Sequence, residues 1–385
     1  MRQDGIAAIL DHKRVCICAG SGGVGKTTTS AAIAAGMAAR GRKVVVLTID
    51  PAKRLADSLG LPELGNEARR VDPASLAAAG VDCGDGELWA MMLDAKATFD
   101  EVIRRNAPDD ETRERILANR IYQQLSTALA GSQEYMAMER LYELWVEGGY
   151  DLLVLDTPPS RNALDFLDAP RRLVQFIEGR ALRTFMRPTG VATRVVGGGA
   201  ALVFSILRRI TGVDLIDDLA EFFQAFGSMV GGFRDRARKV EALLADERTS
   251  FVVVCAPQGE PITEATRFHR KLVAASLPFG GVVVNKVQLE RPGAEPDAEL
   301  EAGLAEALGD AELAARVLVN HRDYRALAAR DRANIDRLVA ELPTSEVIEV
   351  PYLDDDVHDL AGLAEINRYL FATGAEERPA LAAER

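Results

Sequence analysis

The chain has 385 residues, 48% of them hydrophobic, and a formal net charge of −12 at pH 7. That length builds one large α/β domain with insertions, or two domains, and the acidic balance argues against nucleic acid as the main partner, because a phosphate backbone needs a broad basic face. Cys16, Cys18, Cys83 and Cys255 are too scattered for a C-x-x-C metal or redox motif, residues 1–14 hold no apolar core of signal-peptide length, and no run of about 20 apolar residues occurs. The expectation is a reduced, cytoplasmic protein with at most peripheral membrane contact.

Taken in order, residues 13–19 read as a short apolar strand, of the kind covered on both faces in a parallel sheet. The following stretch, GSGGVGKTT from Gly20 to Thr28, fits G-x-x-x-x-G-K-[ST] through Gly20, Gly25, Lys26 and Thr27. Glycines in such a loop let successive backbone N–H groups turn inward onto phosphate oxygens, and the helix that begins there adds its positive end. Gly20, Ser21, Gly22, Gly23, Val24 and Gly25 are therefore the expected cradle. Lys26 is expected on the β and γ phosphates, the Thr27 hydroxyl on Mg²⁺, and Thr28 beside the α phosphate. A helix over 27–40 stops at Gly41, and the strand over 43–49 delivers Asp50 at its carboxyl end, where open α/β sheets bind ligands. Residues 60–86 read as an irregular connection, 87–93 as a strand, and 95–106, 110–130 and 133–148 as helices.

The run 151–155 is another buried strand, ending in Asp156. Were it to lie beside the first strand, Asp156 would approach Thr27 and serve Mg²⁺ directly or through water; the same residue also suits the cap of a following helix. Residues 170–245 break the strand and helix alternation. Phe222, Phe226, Met229 and Phe233 recur there at helical spacing, which fits either a core-facing stripe or a surface that repacks around apolar partners, and the arginine-rich stretch 171–212 suits contact with anionic lipid. A strand over 249–256, a helix over 261–276 and a strand over 280–284 follow. Asn285 then stands where its amide can read an adenine edge, or simply serve a turn. Two helices over 298–341, a strand over 346–350, a loop from Pro351 and Tyr352 walling the base, and a helix over 356–371 complete the chain. The expected organisation is a nucleotide-binding domain over 1–170 and 246–373, a helical insertion over 171–245, and a disordered tail over 374–385.

The cradle, TIDPAKRL at 48–55, VLDTPPSRNALDFLDAP at 154–170 and VVVNKV at 282–287 occur in this order. Together they resemble the ArsA-type P-loop ATPases of the deviant Walker A class, which include arsenite-pump ATPases and the ATPase that delivers tail-anchored membrane proteins. The resemblance runs over about residues 13–371. It implies a three-layer α/β fold with a mostly parallel sheet, ATP and Mg²⁺ as ligands, hydrolysis, and a dimer of identical or related subunits. By the same resemblance Asp50 corresponds to the carboxylate that orients or deprotonates the attacking water and can reach Mg²⁺ through water. Asp156 starts the second switch, Asn285 reads the adenine, and 170–245 becomes a subdomain for an apolar client such as a membrane-protein helix. One departure stands out: Ser21 occupies the place of the family's signature lysine, whose ammonium crosses to the partner's phosphates, so a chain that is slow alone is expected. The family's paired zinc cysteines are also absent, and scattered thiols do not suit arsenite. The alternative reading is a surface-binding regulatory ATPase like the MinD and ParA groups; an electron-transfer ATPase of the same loop class lacks the cysteines for its cluster.

Overall fold

The computed structural model describes residues 5–50, 52–120, 122–123, 126, 132–157, 168–169, 175, 222, 229–289, 297–342, 346–353 and 355–373. Its centre is β1 (Val15–Ala19), buried along its whole length. The other strands are β2 (Lys43–Thr48), β3 (Arg69–Arg70), β4 (Glu87–Met92), β5 (Leu152–Asp156), β6 (Thr249–Cys255), β7 (Phe279–Val287) and β8 (Glu346–Pro351). They form an eight-stranded sheet in the order β3-β4-β2-β5-β1-β6-β7-β8. Every neighbouring pair is parallel except β3 with β4. The chain winds outward from β1 in both directions, so the carboxyl ends of the strands flanking it open the crevice in which such sheets bind ligands.

Alternation along each strand feeds two cores. Cys16, Cys18, Val44, Val46 and Val154 face one layer. It comprises α1 (Gly5–Leu10), α2 (Lys26–Ala38), α3 (Arg54–Ser58), α4 (Pro73–Ala78) and, further along the chain, the helix Leu360–Leu370. Small residues let α2 lie close to the sheet: Ala31, Ala32, Ala34 and Ala35 are fully buried, and a Cβ on Gly36 would sit 2.1 Å from the Phe371 ring. Ile17, Val45, Leu47, Leu153 and Val253 face the other layer. That layer contains α5 (Ala95–Asn106), α6 (Asp110–Ala118), α7 (Ser132–Glu147), α8 (Val230–Leu244), α9 (Gly259–Ala274) and the distal part of the long helix Ala311–Glu341. The architecture is a three-layer α/β fold with a mostly parallel central sheet. Helix α10 (Asp297–Leu308) pairs with Ala311–Glu341, which is α11, and Leu360–Leu370 is α12. No helix among the described residues is long and apolar enough to cross a membrane.

Local differences from the expected elements have identifiable causes. The helix α1 has too few residues to show a period, and it is held instead by packing of Ile6 and Leu10 beneath β7, β8 and α12. Within 60–86 the chain forms β3 and α4, the latter starting at Pro73 with Asp72 as its N-cap, accepting from Ala74 N and Ser75 N. Strand β7 runs on through Asn285 and Lys286 to Val287, with a register irregularity against β8 between Val284 and Val287. Most of the segment 171–245 lies outside the described residues, as do Phe226 and the tail 374–385. Where the segment is described, its apolar stripe faces the core and its polar face is exposed. Phe222, Met229 and Phe233 are buried, Phe233 against Phe99 with ring centroids 6.1 Å apart and Phe222 against Tyr122 at 6.2 Å. Helix α8 is further tied down by Arg236, which pairs with the buried Glu139 and approaches Glu143, itself bound by Arg105 and Arg140.

Candidate functional site

The loop leaving β1 is pressed against β6 so tightly that a Cβ on Gly20 would lie 2.0 Å from Val254 O. It then turns through Gly23 and Gly25 at φ 78° and 88°, the left-handed region that glycine enters without strain. A Cβ on Gly25 would also meet Asn285 Nδ2 at 2.3 Å. Gly25 caps α2 with no side chain over the helix end, so first-turn N–H groups of α2 face the crevice as anion donors.

Lys26 is buried, with Nζ donating to Ser21 O at 2.8 Å. Burial lowers its pKa; the carboxylates of Asp156 and Asp50 oppose that shift, and the charge of Arg54 adds to it. Parallel pairing places Cys18 of β1 and Thr48 of β2 level with Asp156 at the end of β5. Asp156 Oδ2 accepts from Thr27 Oγ1 at 2.7 Å and from Thr48 Oγ1 at 2.8 Å, while its Oδ1 is buried and has no partner. Burial pushes the Asp156 carboxyl up to about 6, against the hydrogen bonds from Thr27 and Thr48 and the Lys26 charge, which favour its ionised form. Asp50 sits one strand further out, its Oδ1 accepting from Ala52 N at 3.0 Å.

On the opposite side, Asn285 Nδ2 donates to Val24 O at 3.0 Å and Oδ1 accepts from Lys286 N at 2.9 Å. The amide therefore braces the loop, yet it keeps one N–H and one lone pair for a ligand. Lys26, Thr27, Asp50 and Asn285 converge on a cavity of about 480 Å³, floored by Gly25, Lys26, Thr27 and Thr28, with Asp50 at one end and Pro351 with Tyr352 at the other, while Asp156 lies buried behind Thr27. Val24 is buried against the sheet, Gly22 is exposed, and the Ser21 hydroxyl is buried without a partner.

Three participants escape sequence reasoning. Thr48 is visible only once β2 pairs with β5. Lys286 adopts φ 64°, unusual for a side chain with a Cβ, and brings its Nζ to 3.4 Å from Gly23 O. Arg54 lines the cavity beside Asp50. Among the described residues no group of three or more His, Cys, Asp or Glu side chains could hold a metal ion on its own. The donors that fit Mg²⁺ are Thr27 Oγ1, whose proton is committed to Asp156, the orphaned Asp156 oxygen behind it, and Asp50 at the cavity wall through water. Such a sparse oxygen set fits a cation that keeps waters and takes its remaining ligands from phosphate.

A carboxyl whose folded pKa lies above its unfolded value favours the native state when protonated, so that contribution is present at low pH and fades as the pH rises through about 6. Thermal unfolding in chelator should therefore show Asp156→Asn gaining on the wild type as the pH rises from about 4 to about 7. A gap that stays constant over that range would contradict the account.

A strand, a glycine cradle, a helix start and a buried carboxylate at the neighbouring strand end define a P-loop nucleoside triphosphatase fold. Residues 13–301 match the model of the anion-transporting ATPase family, and the chain belongs to that family. It is similar to the ATPase get3 of Aspergillus terreus, 26% identical over 301 residues, which span 77% of this chain and 80% of the relative. Similar too are the ATPase GET3 of Podospora anserina, 26% identical over 75% of this chain and 78% of its own, and that of Malassezia globosa, 27% identical over 74% and 77%.

Proposed function

We propose that the chain binds Mg-ATP in the cavity above β1 and hydrolyses it slowly as an isolated subunit. The observation that carries this is the meeting of Thr27 Oγ1 with Asp156, whose second oxygen is buried and unpartnered beside the glycine cradle. Gly20 to Thr28 present backbone donors to the phosphates, and Lys26 offers an ammonium already desolvated and, among the described residues, hydrogen-bonded to Ser21 O alone. Thr27 and Asp156 hold Mg²⁺, which when bound neutralises charge on the phosphate oxygens. Asp50 orients the attacking water at the β2 end, and Asn285, Pro351 and Tyr352 flank the base at the β7 and β8 end. Family membership supports ATPase chemistry in general.

Slow turnover follows from Ser21: a neutral hydroxyl cannot stabilise charge on a partner's triphosphate. The expected result is that Ser21→Lys raises steady-state phosphate release by at least about tenfold, a fraction of what trans-acting cations supply. Unchanged turnover would remove the argument. Titration of the wild type with Mg-ATP in a calorimeter tests the binding step directly, and absence of heat would end the proposal. For a client, the described part of 171–245 offers buried side chains committed to the core rather than an apolar surface.

A further inference from the structure

Arg54 stands out among the cations of the cavity because no described residue engages its side chain. It opens α3 four residues after Asp50, is exposed at the cavity wall, and among the described residues its guanidinium has no hydrogen-bond or ion-pair partner. Lys26, by contrast, is held by Ser21 O, and Lys286 leans on Gly23 O. Arg54 is close enough for its charge to act on Lys26. Acids line the cavity at both ends, Asp50 after β2 and Asp355 and Asp356 after β8, so a polyanion needs every cation the cavity can offer.

Topology fixes which part of the ligand Arg54 can meet. The cradle rises from β1, the base-side residues Asn285 and Pro351 come from β7 and β8 on one flank, and Arg54 follows β2 on the other flank, beyond β5. A nucleotide lying across the cradle with its base toward β7 and β8 ends with its terminal phosphate toward β2. The geometry points to Arg54 as a cation supplied in cis to the γ-phosphate, a residue that lets the site distinguish a nucleoside triphosphate from a diphosphate. A planar guanidinium matches a terminal phosphoryl group through paired N–H donors. It also places a positive charge at the phosphate end of a site whose Ser21 supplies none.

This inference rests on the Mg-ATP reading of the cavity, and the test separates the two. Calorimetric dissociation constants are measured on the full chain for Mg-bound β,γ-imido-ATP and for Mg-ADP, in the wild type, Arg54→Ala, Arg54→Lys and Lys53→Ala. Lys53 is the neighbouring exposed cation outside the cavity wall, so its removal changes net charge equally without touching the site. Arg54→Ala should weaken the imido analogue by about ten- to hundredfold and ADP by less than about threefold, as expected for loss of a charge-assisted contact to one phosphate. Arg54→Lys should recover part of the loss, and Lys53→Ala should leave the ratio of the two constants where it was. Retained ADP affinity certifies that the variant is folded. The inference is overturned if Arg54→Ala shifts both nucleotides by the same factor or neither, or if the wild type itself does not discriminate between them. A wild type that binds neither nucleotide overturns the Mg-ATP reading itself.

Discussion

Lys26→Ala should lower the affinity for Mg-ATP by at least about a hundredfold, since the variant loses a charge-assisted contact in a water-poor site. The lysine is buried at 6% exposure, so its ammonium has already surrendered most of its hydration, and the shift that burial imposes on it is opposed by Asp156 and Asp50. What remains for it to gain is contact with phosphate, because among the described residues its one acceptor is Ser21 O. Removing the side chain also strands that carbonyl and leaves Asp156 and Asp50 facing each other with less compensation. Calorimetry on the variant, with circular dichroism to establish that the sheet is intact, reads the result. An affinity equal to that of the wild type would mean that the cavity above β1 is not a phosphate site.

Asp50→Asn should separate binding from chemistry. Its carboxylate is tethered by Ala52 N through Oδ1 and lies at the cavity edge one strand beyond Asp156. In the proposed site that position suits a water at the terminal phosphate rather than the cradle. An amide of the same shape keeps the hydrogen bond from Ala52 but cannot take a proton, so turnover should fall by about 10²- to 10⁴-fold. Mg-ATP affinity should meanwhile change by less than about threefold, because no charge-assisted contact to phosphate is lost. Single-turnover phosphate release against equilibrium titration distinguishes the two effects. Parallel losses in both would make Asp50 a binding group, and full activity would exclude it from the reaction.

The central layer was legible because parallel strands covered on both faces must be apolar at every position, so KVVVLT, LLVLD and FVVVC announce themselves with no partner in view. The cradle was legible for a related reason. Phosphate binding by backbone amides requires glycine where a Cβ would collide, and the collisions are visible at Gly20 with Val254 O and at Gly25 with Asn285 Nδ2. Short, irregular or sheet-dependent features were not. The helix α1 and the strand β3 exist because of what they pack on. The stripe through Phe222, Met229 and Phe233 has the same periodicity whether it faces a partner or its own core, and only their burial, with Phe233 against Phe99 and Phe222 against Tyr122, assigns these three side chains to the core.

The sequence by itself determined the fold class, the order of its strong strands and the phosphate loop, since each of these is dictated by local chemistry: apolar continuity, helical period, and glycine where the backbone must approach a ligand. Tertiary structure alone decided which strands are neighbours. That β5 lies between β1 and β2 is what brings two threonine hydroxyls, Thr27 from the start of α2 and Thr48 from the end of β2, onto one oxygen of Asp156 and leaves the other bare. It also sets Arg54 and Lys286 on opposite flanks of the cradle. Residues far apart in the chain meet at one sheet edge because the whole core settles on one strand order, and no local pattern carries that information.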